Sequence, residues 1–292
     1  MAKTKVTSFR ELLRCPPGPV DLSQFRPRAT PGLKGGKREA RKALPDLSQR
    51  LADLQERLYA SGKAGDQRRL LLVLQGMDTS GKDGVVKHVL GAVNPMGCHI
   101  QAFSAPTKQE LAHDFLWRIR QALPAAGQLG VFDRSHYEDV LVVRVRDLAP
   151  RAVWSRRYAT INRFEQRLAA DGYTVVKCFL HISPQAQKKR LLARLDNPAK
   201  YWKYNPGDVD DRMLWPSFQQ AYAAVLDRCN TDAAPWYVIP SDRKWYRNYA
   251  ITRLLIDVLE GLELGWPSAD FSVDAERARL TALAEPVADP AR

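Results

Sequence analysis

The chemistry of this chain starts with Gly76-Met77-Asp78-Thr79-Ser80-Gly81-Lys82-Asp83-Gly84. An anion such as phosphate needs several N–H donors on a backbone it can approach closely, and a cation beside them. Glycines at 76, 81 and 84 supply the backbone and Lys82 the charge, at the spacing G-x-x-x-x-G-K. Asp83 stands where Ser or Thr usually meets Mg²⁺, and Asp78 puts a carboxylate inside the loop. The alternative is a glycine turn that joins a strand to a helix and binds nothing. The flanking Leu70-Leu71-Leu72-Val73-Leu74 and Val85-Val86-Lys87-His88-Val89-Leu90 favour a phosphate loop.

Phosphoryl transfer needs the donor phosphates held, Mg²⁺ to neutralise charge, and an acceptor in line. Lys82 and the loop amides meet the first need. Asp133, at the end of the apolar run Leu129-Gly130-Val131-Phe132, has the position of a Walker-B-type magnesium ligand; alone, it reads equally as a turn or cap residue. Asp78 is the candidate second carboxylate on the metal, offsetting the missing hydroxyl at 83. Two carboxylates with phosphate oxygens and waters suit Mg²⁺. Arg134 can offer a planar fork to a phosphate, or form a surface ion pair. Glu138 and Asp139 either contact the acceptor nucleotide or are first-turn helix acids. The segment 187–212 carries Lys188, Lys189, Arg190, Arg194, Lys200, Lys203 and Arg212 between proline breaks, and suits a phosphate-clamping lid or a solvated basic helix. His136 has no second histidine at ligand spacing, and packing roles are expected for His88, His99, His113 and His181. Trp202, Trp215 and Trp236 read as core or lid-packing residues.

Elements must bring these residues together. Strands are expected at about 69–75, 99–103, 129–132, 173–182 and 235–239. Helices are expected at 46–61, capped by Asp46, after the loop to about 93, and at 108–122 capped by Thr107. Further helices should cover 150–170, a stretch begun by Ser183-Pro184, 208–229 and 242–263. Alternation of this kind predicts an α/β fold with a five-stranded parallel sheet covered on both faces. Ligands of such sheets bind beyond the C-terminal strand ends, where the 76–84 loop and Asp133 both fall. Residues 1–45 read as an irregular basic arm with Arg26, Arg28, Lys34, Lys37, Arg38, Arg41 and Lys42, residues 46–265 as the domain, and 266–292 as a loose tail.

The 292 residues carry a net charge of +13 and are 45% hydrophobic. The core can be sizeable, and the charge predicts a polyanionic partner or a solubilising surface. No run approaches the ~20 apolar residues of a membrane helix, and Met1–Val6 lacks a signal-peptide core. Cys15, Cys98, Cys178 and Cys229 show no C-x-x-C pairing and read as reduced thiols of a cytoplasmic protein.

Taken together these words resemble the polyphosphate kinase 2 family over about 45–265: Gly76-Met77-Asp78 with Gly81-Lys82-Asp83-Gly84; Pro106-Thr107 with His113-Asp114-Phe115-Leu116-Trp117-Arg118; Phe132-Asp133-Arg134-Ser135-His136-Tyr137-Glu138-Asp139-Val140-Leu141; Trp202-Lys203 with Asp208, Arg212 and Trp215; and Pro235-Trp236 followed by Lys244. The resemblance implies a P-loop kinase-like three-layer α/β/α sandwich with a helical lid at about 187–212. It implies phosphoryl exchange between polyphosphate and nucleotides with Mg²⁺ or Mn²⁺. It casts Asp78 and Asp133 as metal-associated and catalytic, and Lys82 and Arg134 as catalytic and phosphate-binding. Asp78, Glu138 and Asp139 would face the nucleotide. Gly81, Lys82, Asp83, Gly84, Lys87, Arg134, Lys203 and Arg190 or Arg194 would face polyphosphate. The acidic His136-Tyr137-Glu138-Asp139 version resembles the class III branch, which takes nucleoside mono- and diphosphates. AMP, ADP and guanine nucleotides are then the expected partners, in a homo-oligomer of two or four chains. Two rivals stand beside this reading: an ATP-dependent small-molecule kinase, and a nucleic-acid binder using the basic arm. The arm lacks the interleaved aromatics a single-strand binder favours.

Overall fold

The computed structural model describes residues 8–283. Five strands, β1 (Arg69–Gln75), β2 (Cys98–Ala102), β3 (Leu129–Asp133), β4 (Tyr173–His181) and β5 (Trp236–Pro240), form one parallel sheet in the order β2-β3-β1-β4-β5. Helices α1 (Phe9–Leu13) and α2 (Lys37–Lys63) precede it, and α3 (Lys82–His88) follows β1. Helices α4 (Lys108–Leu111) and α5 (Trp117–Gln121) lie between β2 and β3, and α6 (Val142–Val145) and α7 (Arg151–Ala170) between β3 and β4. The β4–β5 connection holds α8 (Pro184–Leu195), α9 (Gly207–Met213) and α10 (Trp215–Arg228). After β5 come α11 (Lys244–Glu260) and α12 (Val273–Ala282). The five expected strands are all present, and the α/β fold with its five-stranded parallel sheet is as the sequence predicts.

The unbroken apolar run of β1 divides between two cores. Leu70, Leu72 and Leu74 point to one face and pack with α1, α2, α3 and α11. Leu71 and Val73 point to the other and pack with residues of α5, α7 and α10. Period-two alternation within a strand covered on both faces produces this three-layer arrangement. From β1 the chain moves to one side to form β2 and β3, then crosses back to the other for β4 and β5. The connections leaving β1 and β3 therefore diverge, opening a crevice at their C-terminal ends.

The boundaries differ from expectation where side chains or packing override the pattern. The basic arm is not irregular throughout. Helix α2 begins at Lys37, continues through Pro45, and buries Leu51, Leu54 and Leu58. Its start is set by Glu39, whose carboxylate accepts from the Gly36 N–H at 2.8 Å, and not by Asp46. Pro45 removes one N–H donor from a 27-residue helix that is held by burial. The arm upstream lies on the body: the Cys15 N–H donates to Trp236 O at 2.8 Å and Arg14 bridges Tyr237, which covers the free edge of β5.

The helix expected over 108–122 is two pieces. Thr107 and Glu110 cap α4 reciprocally, but the Asp114 carboxylate then captures the Leu116 N–H at 3.0 Å and restarts the chain as α5. The stretch 208–229 breaks at Leu214, which leaves α9 and α10. The post-loop helix stops at His88 and gives way to a 3₁₀ turn. Ser183 caps α8 with Pro184 in its first turn, as expected. The tail beyond 266 contains the exposed α12. His88 and His113 are exposed and do not pack in a core. Trp202 is 78% exposed, contrary to its expected packing role, while Trp236 is fully buried. All four cysteines are free. No helix of the described residues is long and apolar enough to cross a membrane.

Candidate active site

The register of β1 and β3 sets Leu74 opposite Asp133. The chain leaves both strands at the same level, so residues some fifty positions apart meet. The Arg134 N–H donates to Leu74 O at 3.0 Å, and the Gln75 amide donates to Ser135 Oγ at 3.1 Å. The Arg134 guanidinium then donates to Asp78 Oδ1 at 3.1 Å. That bond joins the carboxylate inside the glycine loop to the residue after the strand-end aspartate.

The loop is held in an uncommon backbone state. Gly81 adopts φ 110°, but Thr79 and Arg134 also sit at φ 61° and 64°. For a β-branched threonine that conformation is strained, and such strain persists only where the surroundings fix it. The fixing groups are two arginines behind the loop. Arg190 donates to Thr79 O at 2.7 Å and Ser80 O at 3.0 Å, and through its other nitrogen to Ser241 O and Asp242 O. Arg247 donates to Ser80 O at 3.2 Å. With these carbonyls turned back toward the guanidiniums, the Ser80 N–H donates to Met77 O at 3.0 Å and the Gly81 N–H is left for the front. Lys82 is buried, and its ammonium donates to Gly76 O at 3.0 Å.

Charge is concentrated here. Burial pushes the Asp133 carboxyl above its ordinary range, partly offset by Lys82. Burial also raises Glu138, with Arg134 and Lys82 opposing. Asp208, at the start of α9, is raised to about 6 by burial and by the nearby Asp78 charge. Asp83 is lowered despite the opposing effect of burial, because Lys203 binds its carboxylate at 3.0 Å. Among the described residues no cluster of three or more His, Cys, Asp or Glu could hold a metal.

Of the expected site residues, Asp78, Lys82, Asp133, Arg134 and Glu138 share this crevice, with Gly81, Asp83 and Gly84 in the loop and first turn of α3. Asp139 is turned to α7, where Arg157 donates to its carboxylate at 2.9 Å. Lys87 is exposed on α3. The expected lid residues are engaged with protein. Arg194 donates to Lys203 O at 2.7 Å and to Asp208 Oδ2 at 3.1 Å, and Lys203 is held by Asp83.

Sequence reasoning assigned no site role to four groups of residues. Gln187 donates to Asp78 O at 3.2 Å and accepts from Arg212 at 3.0 Å. Ser135 and Gln75 pin the strand ends. Beneath them Lys177, Glu165, Tyr137 and His136 form a buried network, which Lys177 also ties to Cys229 O at 2.6 Å. Lys177 Nζ donates to Glu165 Oε2 at 2.6 Å and Tyr137 Oη at 2.8 Å, and Tyr137 and His136 meet Glu165 Oε1 at 2.8 and 3.2 Å. Arg247 is the fourth. Its signal was present: α11 opens with Lys244 and Arg247 after Arg243, cations where the helix dipole disfavours them.

Comparison with known proteins places the chain in a family. The family model for polyphosphate kinase 2 matches residues 34–264. The AMP/ADP-polyphosphate phosphotransferase of Meiothermus ruber is 49% identical over 87% of this chain and 94% of its own. The ADP-polyphosphate phosphotransferase of Rhodopseudomonas palustris is 38% identical over 85% and 88%. The crystal structure of polyphosphate kinase 2 from Arthrobacter aurescens TC1 superposes with a TM-score of 0.92 at 50% identity, covering 94% of this chain and 97% of that one.

Proposed function

This chain belongs to the polyphosphate kinase 2 family, and we propose that it transfers the terminal phosphoryl group of inorganic polyphosphate to AMP and ADP, giving ADP and ATP. The observation that carries this reading is the Asp78–Arg134 contact at 3.1 Å. It unites the glycine loop with the end of β3 in one acidic and basic crevice, in a chain whose Meiothermus ruber relative is named for both acceptors.

The chain's own groups have distinct tasks. Loop amides and Lys82 hold the end of polyphosphate, Lys82 exchanging Gly76 O for a phosphate oxygen. Arg134 faces the moving phosphoryl group, and Lys82 with it stabilises the spreading negative charge. The bond from that phosphorus to the chain's bridging oxygen breaks as an acceptor phosphate oxygen attacks. That oxygen is already anionic, so no strong general base is required. Asp78 and Glu138 orient the acceptor. Helices α8 and α9 with the turn between them form the lid, its basic residues following the polyanion.

The donor set fits Mg²⁺ or Mn²⁺. Asp78 and Asp133 are carboxylates of one crevice, close enough that the Asp78 charge helps raise Asp133, and such a pair suits an ion that keeps waters and phosphate oxygens. When bound, the ion would neutralise phosphate charge at the reacting end. The same reading gives GMP and GDP as further acceptors, a homo-oligomer of two or four chains, and a cytoplasmic setting.

The test supplies long-chain polyphosphate with AMP, no ATP, and Mg²⁺ or Mn²⁺. ADP followed by ATP is expected, and Asp133→Asn should remain folded yet lose most product formation. Absence of both nucleotides across metal and pH conditions defeats the proposal.

A further inference from the structure

The transfer chemistry leaves Arg247 without a task, although it is a charge held inside the fold. The residue is 2% exposed. Nη1 donates to Ser80 O at 3.2 Å, and Nε and Nη2 donate to Asn248 Oδ1 at 3.2 and 2.8 Å. Asp83 is the carboxylate whose charge reaches it, and Asp83 is already bound to Lys203. Burial, then the neighbouring Arg190, push the guanidinium down to about 9, so it is charged at neutral pH. A buried cation without an ionic partner is strongly unfavourable. Its place in the first turn of α11 adds an unfavourable helix dipole.

The guanidinium lies against the back of the phosphate loop. A Cβ at Gly81 would stand 1.6 Å from Nη1, and one at Gly84 2.5 Å from Nη2. Those two glycines thus admit Arg247 from behind as well as phosphate in front. The Arg190 guanidinium shares the same carbonyl, Ser80 O, and cannot offset the charge. An anion on the far side of the loop would.

We propose that Arg247 is a positioning residue for the phosphate chain. From behind the loop it draws the Ser80 carbonyl backward so that the Gly81 N–H of the same peptide faces the substrate. Its buried charge is compensated when phosphate occupies the loop. This rests on the reading of residues 76–84 as the polyphosphate site.

The test titrates tripolyphosphate, without nucleotide, into wild type, Arg247→Met, Arg247→Lys and Gly84→Ala by calorimetry at several salt concentrations. Arg247→Met should bind about tenfold or more weakly, with the slope of log Kd against log salt reduced by about one charge's worth. Arg247→Lys should keep the wild-type slope. Gly84→Ala pushes the guanidinium off the loop at little backbone cost and should weaken binding in the same direction. In turnover, KM for polyphosphate should rise and KM for AMP stay constant. Tripolyphosphate should raise the melting temperature of Arg247→Met less than that of wild type. A lower unliganded melting temperature with unchanged affinity and salt slope would show a purely structural role and overturn the proposal. Should Arg247→Met fail to fold, unchanged affinity in Gly84→Ala overturns it. If wild type binds and turns over and the variants match it, only the role of Arg247 falls. If wild type neither binds tripolyphosphate nor makes ADP, the reading of the loop falls with it.

Discussion

Asp78, Asp83, Asp133, Glu138 and Asp208 place many carboxylates beside the proposed polyphosphate site, which is reasonable only if cations stand among them. Lys82, Arg134, Arg194 and Lys203 do so, each engaged by a carbonyl or carboxylate. Asp208 shows the cost of this crowding. It is buried, and its folded pKa of about 6 lies above the 3.8 of an unperturbed aspartate. The fold therefore prefers the protonated form. This carboxyl's contribution is best below pH 3.8 and is lost as pH rises through 6. At about 1.4 kcal/mol per pKa unit, the penalty above pH 6 is on the order of 2–3 kcal/mol. Asp208→Asn keeps an acceptor for Arg194 and should be more stable than wild type at pH 8, the gap shrinking by pH 5. Urea unfolding at both pH values checks it; a gap independent of pH would refute the assignment.

Elements reach the site because a buried polar core ties them together. The one-turn 3₁₀ helix His136–Asp139 follows Arg134 after its capping residue Ser135. It is anchored by the Lys177–Glu165 pair, which joins β4 to α7 at 2.6 Å with both side chains fully buried. Burial pulls Lys177 down while Glu165 opposes it; Glu165 itself is lowered, burial being outweighed by Lys177 and His136. Removing one member of such a pair leaves the other uncompensated. Lys177→Met should cost about 3–5 kcal/mol in urea unfolding, and Lys177→Met with Glu165→Gln should recover most of it. A loss under about 1 kcal/mol would mean the network does not hold the turn.

For the whole molecule, the +13 charge belongs with a polyanionic substrate. Each phosphate neutralised by Lys or Arg releases counterions, so binding should weaken steeply with salt. Between about 50 and 200 mM salt, KM for long polyphosphate should rise by roughly one to two orders of magnitude, and KM for AMP by much less. Equal salt response for both substrates would count against a multi-contact polyphosphate track. The stretch around Pro27 and Pro31 contributes to the body rather than extending from it, since Tyr246 Oη donates to Pro31 O at 2.7 Å and the Asp242 N–H to Pro27 O at 3.0 Å.

Local pattern alone determined the five strands, the glycine loop between β1 and α3, the strand-end Asp133, and the Ser183-Pro184 and Thr107 helix starts. These depend on short-range sterics, capping and period-two apolarity, which neighbouring residues specify by themselves. Tertiary structure decided the rest. Helix α2 runs through Pro45 because burial along its length outweighs one missing hydrogen bond. Asp114 splits α4 from α5 through a side-chain bond that periodicity does not register. Above all, Arg190 and Arg247 stand behind the loop only because α8 and α11 pack there, more than a hundred residues along the chain. A cation in the first turn of α11 was visible in the sequence, but the carbonyl it meets exists as a partner only in the fold.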